Sequence, residues 1–226
     1  MRRIQFALGY ASFRPIREML RDQADRRELE QLIRSNQRFW SILAAARSCD
    51  PPDWFIGAGV IRNLVWDSLH SFVEPTPCAD VDVAFFEPRD LSPERDRAVQ
   101  AQLSASRPDV PWEATNQAAV HLWYERVFGY AVPPLASSAD AIGTWPETAT
   151  CVGVRLLPND ELLIVAPYGL SDLFNLILRR NPRRVSRAEF RRRIWEKKIQ
   201  DKWPRVRIVD DETTDHAGCQ LIKTDN

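Results

Sequence analysis

Between Trp54 and Phe86 the chain passes through an order of residues that few folds can satisfy. An apolar run, Trp54-Phe55-Ile56, breaks into Gly57-Ala58-Gly59 and continues as a helical pattern with Arg62 and Asn63 in its first turn. It returns as Asp80-Val81-Asp82-Val83-Ala84-Phe85-Phe86, two aspartates set one residue apart in an apolar strand. Residues i and i+2 of a strand project from one face, so Asp80 and Asp82 are expected to point the same way. Two such carboxylates repel and raise each other's pKa, a penalty that a divalent cation removes. Mg²⁺ favours one or two carboxylates together with phosphate oxygens. The glycine turn supplies the complementary half, because its backbone lets a phosphate approach and the following helix N-terminus favours anions.

Periodicity lays out the rest. A helix is expected over 27–48, stopped by Cys49-Asp50-Pro51-Pro52. A short strand covers Trp54–Ile56, and a helix after Gly59 carries Ile61, Leu64, Val65, Leu69 and Phe72 on one stripe. A second strand spans Val81–Phe86. Ser92-Pro93-Glu94 opens a helix that ends near Ser106. A third strand covers Val110–Ala114, with Thr115 capping a short helix through Trp123. Residues 124–150 read as loops around one short helix. A hairpin joins Cys151–Leu156 to Leu162–Val165 across Pro158-Asn159-Asp160. Ser171 caps a helix to Arg180, and Ser186-Arg187-Ala188-Glu189 is a capping box for a basic helix through Lys202. In that helix Phe190, Ile194, Trp195 and Ile199 are expected to face the core, and Arg187, Arg191, Lys198 and Lys202 to form a basic face. Val206–Val209 reads as a last strand. The expected organisation is a peripheral arm over 1–26, one domain over 27–209 and an acidic, disordered tail over 210–226.

At 226 residues, with 44% hydrophobic residues including eight Trp and ten Phe, the chain can build a full core. No apolar run approaches the ~20 residues that span a bilayer. No signal-peptide h-region follows the basic N-terminus, so a cytoplasmic protein without membrane partners is expected. Cys49, Cys78, Cys151 and Cys219 are scattered without a Cys-x-x-Cys pair, which argues against zinc and against a disulfide framework. The net charge is zero but unevenly spread. Residues 171–207 hold 13 Lys+Arg and 4 Asp+Glu, leaving 18 and 27 for the remainder. Such a basic segment suits phosphates on a nucleotide or on RNA, and equally a solvated helix.

The turn and the Asp-x-Asp strand resemble the nucleotidyltransferase superfamily that includes DNA polymerase beta and the CCA-adding enzymes. Ala58-Gly59-Val60-Ile61-Arg62-Asn63 looks like the Gly-Gly-x-Val-Arg-Asp of the CCA-adding group, with Ala for the first Gly and Asn for the Asp. A closer resemblance is to a bacterial family labelled only as nucleotidyltransferase family proteins. It is carried by Gly57–Asn63, Trp66-Asp67, Glu74-Pro75-Thr76-Pro77, Asp80–Val83, Trp112-Glu113-Ala114-Thr115-Asn116-Gln117 and His121-Leu122-Trp123. Trp145–Thr150, Ala166–Leu170, Asp172–Leu176 and Asn181-Pro182-Arg183-Arg184 extend it across roughly residues 30–209. It implies an α+β polymerase-beta-like fold, a small mixed sheet flanked by helices with a C-terminal helical extension. The spacing from Gly59 to Asp80 is longer than usual in the superfamily, with the extra length in the Glu74–Pro77 loop. No RNA-binding domain follows in the sequence, so a tRNA acceptor is not expected.

What the resemblance implies chemically is transfer of a nucleoside monophosphate from an NTP to an acceptor, a small molecule, RNA or protein, with Mg²⁺ or Mn²⁺ as cofactor. Two metal ions about 3.5–4 Å apart need roughly three carboxylates. Asp80 and Asp82 are two, and Glu113 holds the third place in the family pattern, with Asp109 as its local rival. Gly57, Ala58 and Gly59 form the triphosphate turn. Arg62 either contacts the triphosphate or pairs with Asp82, and Asn63 contacts phosphate or backbone. Asn116, Gln117 and His121 either line the pocket or satisfy buried backbone groups, and Tyr168, Asp172 and Asn175 divide between substrate contact and scaffolding. The reading from a different class is a catalytically idle nucleotide- or RNA-binding module. Paired carboxylates that repel anions favour the enzyme.

Overall fold

The computed structural model describes residues 16–210. Two helices open it, α1 (Ile16–Ser35) and α2 (Gln37–Cys49). The single helix expected over 27–48 is divided because Asn36 caps α2, its Oδ1 accepting from the Phe39 N–H at 2.8 Å. Residues 16–26 of the expected arm form the first half of α1, while 1–15 lie outside the described residues. The order continues β1 (Phe55–Gly57), α3 (Gly59–Leu69), β2 (Val81–Phe85), α4 (Pro93–Ser106), β3 (Trp112–Asn116), α5 (Val120–Phe128) and α6 (Ser138–Ile142). Then follow β4 (Gly153–Leu156), β5 (Leu162–Val165), α7 (Ser171–Phe174), β6 (Ile177–Arg179), α8 (Arg187–Lys197), α9 (Ile199–Lys202) and β7 (Arg207–Val209).

Five strands form a mixed sheet in the order β3-β2-β1-β4-β5, parallel only between β2 and β3. Strand alternation divides its residues between two faces. Ile56, Val81, Val83, Phe85, Trp112, Val154 and Leu156 point into the main core, against Leu29, Ile33, Leu43, Ile61, Val65, Val99 and Leu103 of the helices. Phe55, Gly57, Asp82, Glu113 and Gly153 belong to the other face, where Phe55 packs with Ile142, Cys151 and Trp145. The main core therefore anchors one face of the sheet, and the acidic residues share the other with this smaller apolar cluster.

Five local expectations are corrected. Phe72 is half exposed rather than part of the α3 stripe. Thr115 lies within β3, and the cap is Asn116, whose Oδ1 accepts from the Ala118 N–H. The helix expected from Ser171 to Arg180 lasts one turn, because Leu176 takes a left-handed conformation (φ 55°) and the chain leaves it as β6, parallel to β7. The basic helix is likewise divided at Lys198 (φ 48°), although Ser186 caps it as expected, accepting from the Glu189 N–H. Trp195 is 79% exposed and so faces away from the core, whereas Phe190 and Ile199 are buried in it. Cys49, Cys78 and Cys151 are free thiols, and Cys219 lies outside the described residues.

Candidate active site

The parallel pairing of β2 with β3 sets Asp82 directly beside Glu113. Partners in a sheet register share a face, so both carboxylates stand on the side away from the core. Asp80 immediately precedes β2, and alternation carried back one residue places it on the same side. The antiparallel register of β1 on β2 pairs Ile56 with Val83, which brings Gly57 opposite Asp82 at the next position. The glycine turn and the acidic strand, far apart in sequence, thus meet at one end of the sheet.

Each position of the turn has its own physical reason. A Cβ on Gly57 would lie 2.5 Å from the Trp145 ring and from the Val152 carbonyl, so no side chain fits there. Ala58 adopts φ 56° and ψ −121°, a conformation suited to glycine, and its N–H donates to Val152 O at 3.3 Å. Gly59 starts α3 without a positive φ, and a Cβ there would meet only Arg62 Nη2 at 3.8 Å and Cys78 Sγ at 3.9 Å. Neither packing nor conformation demands glycine at 59.

Electrostatics concentrate on Asp82. Burial pushes its carboxyl up to about 7, and Asp80 and Glu113 add repulsion in the same direction; Lys197 and Arg193 oppose them. Asp109 lies outside this cluster. It is exposed and held by Arg107 at 2.7 Å, which brings its carboxyl down to about 2. Among the described residues no three His, Cys, Asp or Glu side chains are already gathered as a metal cage.

Arg62 does not pair with Asp82. It is buried, and its Nε and Nη2 donate to Asn63 Oδ1 at 3.2 and 2.8 Å. Its guanidinium lies over the rings of Trp66 and Trp203, 5.6 and 5.0 Å from their centroids. Burial lowers its pKa, and Glu147 works against that loss. Asn63 Nδ2 reaches the Thr76 carbonyl at 3.5 Å, and Asp67 accepts from the Thr76 N–H and hydroxyl and from Trp203 Nε1, each at 2.7 Å. The floor under the turn is therefore tied to the Glu74–Pro77 loop and to the C-terminal segment.

Several other expected residues are engaged in hydrogen bonds within the protein. Asn116 is fully buried and bonds to the backbone of Glu87, Asp90 and Ala118. Tyr168 donates to the Gly143 carbonyl, Asp172 accepts from Thr148 and Arg179, and Asn175 accepts from Arg21. Gln117 donates to the Thr115 carbonyl, and the Nδ1 of His121 is buried without a partner among the described residues. Arg193 and Lys197 escaped the sequence reading, which gave the basic face to other positions. Their i, i+4 spacing after the Ser186 cap was the available signal. Arg187 and Arg191 instead gather on Asp210, each at 3.2 Å.

The sequence profile of a family described as "Nucleotidyltransferase" matches residues 44–208, which contain every element of this site. The chain belongs to that nucleotidyltransferase family. Among solved structures, the enzyme is similar to one determined by NMR and described as revealing a CCA-adding enzyme head domain. That likeness has a TM-score of 0.68 and 27% identity over 82% of this chain and 96% of the other. A CCA-adding enzyme in complex with CTP shares 10% identity at a TM-score of 0.49, covering 80% of this chain and 43% of that one. No curated protein matches. The α+β nucleotidyltransferase head fold and nucleotidyl transfer as the general activity follow from the family and the first of these likenesses. Among the described residues no helix is long and apolar enough to cross a membrane.

Proposed function

We propose that this nucleotidyltransferase is divalent-metal-dependent and moves a nucleoside monophosphate from an NTP to an acceptor hydroxyl or phosphate. The observation that carries the reading is the side-by-side placement of Asp82 and Glu113 on the sheet face away from the main core, opposite Gly57. The donor set fits Mg²⁺ or Mn²⁺. It consists of hard carboxylate oxygens, with Asp82 pushed up by burial and by the charges of Asp80 and Glu113, and a hard cation that brings phosphate oxygens with it needs only one or two of them. Asp80 and Asp82, with Glu113, would hold it. When bound, it neutralises the phosphates and lowers the cost of charge at the transferring phosphorus.

The protein's own groups perform the rest. The first N–H groups of α3, which begins at Gly59, take phosphate oxygens at the positive end of the helix. Arg62 holds a buried positive charge beneath them, and Asn63 fixes its direction. Glu113, exposed at the rim, positions the acceptor group and receives its proton. The likeness to a CCA-adding enzyme head domain supports a nucleoside triphosphate as donor. The test is incubation with each α-labelled NTP and Mg²⁺ or Mn²⁺ against RNA, protein and small-molecule acceptors. Labelled product that requires the metal and disappears in Asp82→Asn supports the reading; metal-independent labelling, or none with any acceptor, contradicts it.

A further inference from the structure

An indole is costly to leave in water, and α8 leaves one there. Trp195 is 79% exposed, while Phe190 and Ile199 are buried in the main core and Ile194 packs against it. Cations surround it in sequence: residues 186–207 hold nine Lys+Arg and three Asp+Glu. Helical spacing sets Arg191 and Arg192 one turn before Trp195, and Lys198 follows one turn after it. All three are exposed. Arg191 is tied to Asp210 and Arg192 to Glu196, but ion pairs this open to water hold weakly and exchange for other anions. Among the described residues the Lys198 side chain takes part in no ion pair.

An uncovered indole among cations selects its partner by chemistry. A lipid surface takes up a helix through a continuous apolar face, and α8 turns its other large apolar side chains inward. An acidic peptide would satisfy the cations and leave the indole in water. A single strand of nucleic acid satisfies both, because every base offers a face for stacking and every nucleotide carries a phosphate. In a duplex those base faces are already stacked on each other. We propose that the outer face of α8, centred on Trp195 and flanked by Arg191, Arg192 and Lys198, binds single-stranded polynucleotide. One base stacks on the indole and the neighbouring phosphates meet the cations. Stacking reads the base and not the sugar, so RNA and DNA strands are bound alike. Binding on this face needs neither metal nor NTP, so it stands apart from the carboxylate site and from the function proposed for it.

Fluorescence anisotropy with labelled oligo(U) and oligo(dT) of about 20 nucleotides, and with a duplex of the same length, tests this on the full chain. The titrations are run in EDTA, which keeps the carboxylate site out of the readout. Wild type should bind both single strands, with affinity falling about twentyfold between about 50 and 200 mM salt, the slope of three neutralised phosphates. Trp195→Ala, at a position exposed enough to leave the core untouched, should weaken both strands about tenfold, the loss of one stacked base. Trp195→Phe should recover most of that loss, and Arg192→Gln/Lys198→Gln should flatten the salt slope. The duplex should bind more weakly than the single strands and equally to wild type and Trp195→Ala. If wild type binds neither strand, if Trp195→Ala binds them as wild type does, or if the duplex binds as tightly, the proposal is wrong. Binding of phosphatidylcholine–phosphatidylserine vesicles in place of the oligonucleotides would assign the face to lipid, and binding of poly-glutamate as tight as that of the strands would reduce it to a general anion surface. Either result overturns the proposal.

Discussion

Gly57 and Gly59 look alike in sequence, yet the space around them differs. Gly57→Ala drives a methyl into the Trp145 ring and the Val152 carbonyl, and should cost about 1–3 kcal/mol in urea unfolding. Gly59→Ala meets nothing closer than 3.8 Å and should leave stability unchanged or up to about 1 kcal/mol higher, while NTP affinity falls. Ala58 holds a backbone conformation that favours glycine, so Ala58→Gly should raise stability by about 1 kcal/mol in the same measurement. Asp82 gives a pH signature. Its folded-state pKa, about 7, lies above the ordinary carboxylate value of 3.8, so between the two the folded chain keeps a proton that the unfolded chain has lost. Stability from this group is full below pH 3.8 and is lost as pH rises through 7, by on the order of a few kcal/mol in the metal-free protein. Asp82→Asn should flatten that part of the pH–stability curve, and an unchanged slope would assign the titration elsewhere.

At the level of elements, those read best from sequence had a strong local cause. β2 follows its alternation of Asp with Val, α4 begins at Pro93, and β4 and β5 flank their turn as expected. Glu113 was legible only through the family pattern, because nothing local fixes which residue of β3 lies beside Asp82. A two-residue shift of β3 relative to its expected bounds also moved the cap from Thr115 to Asn116. The failures share another origin. Helical periodicity around 171–180 and 186–202 is real, but left-handed residues at Leu176 and Lys198 end those helices, and neither is a glycine or asparagine that would announce it. Trp195 was assigned to the core with Phe190, Ile194 and Ile199, opposite the expected basic face, and the turn of α8 points it outward. Lys198→Gly should relax the left-handed joint and raise the thermal midpoint, by an amount equivalent to about 1 kcal/mol.

Across the whole molecule, the C-terminal segment folds back over the helix that follows the glycine turn. Trp203, fully buried, donates to Asp67 and packs edge-to-face on Trp66 at 5.3 Å, 136 positions from its hydrogen-bond partner. No local pattern predicts that contact, yet it lays the Trp203 ring against the Arg62 guanidinium, 5.0 Å from its centroid. Trp203→Ala should cost about 3–5 kcal/mol and lower NTP affinity together with stability. The proposed nucleotide site thus draws on segments distant in sequence, an acidic strand and a small-residue turn over a floor tied to the C-terminal segment. Its most direct test is calorimetric titration of a non-hydrolysable NTP into wild type, Asp82→Asn and Glu113→Gln, with Mg²⁺ and with EDTA. Wild type should bind only with Mg²⁺, Asp82→Asn should lose at least tenfold in affinity while unfolding no more easily, and Glu113→Gln should fall between them. Equal binding by wild type and Asp82→Asn, or binding untouched by EDTA, would contradict a metal-dependent site at these carboxylates.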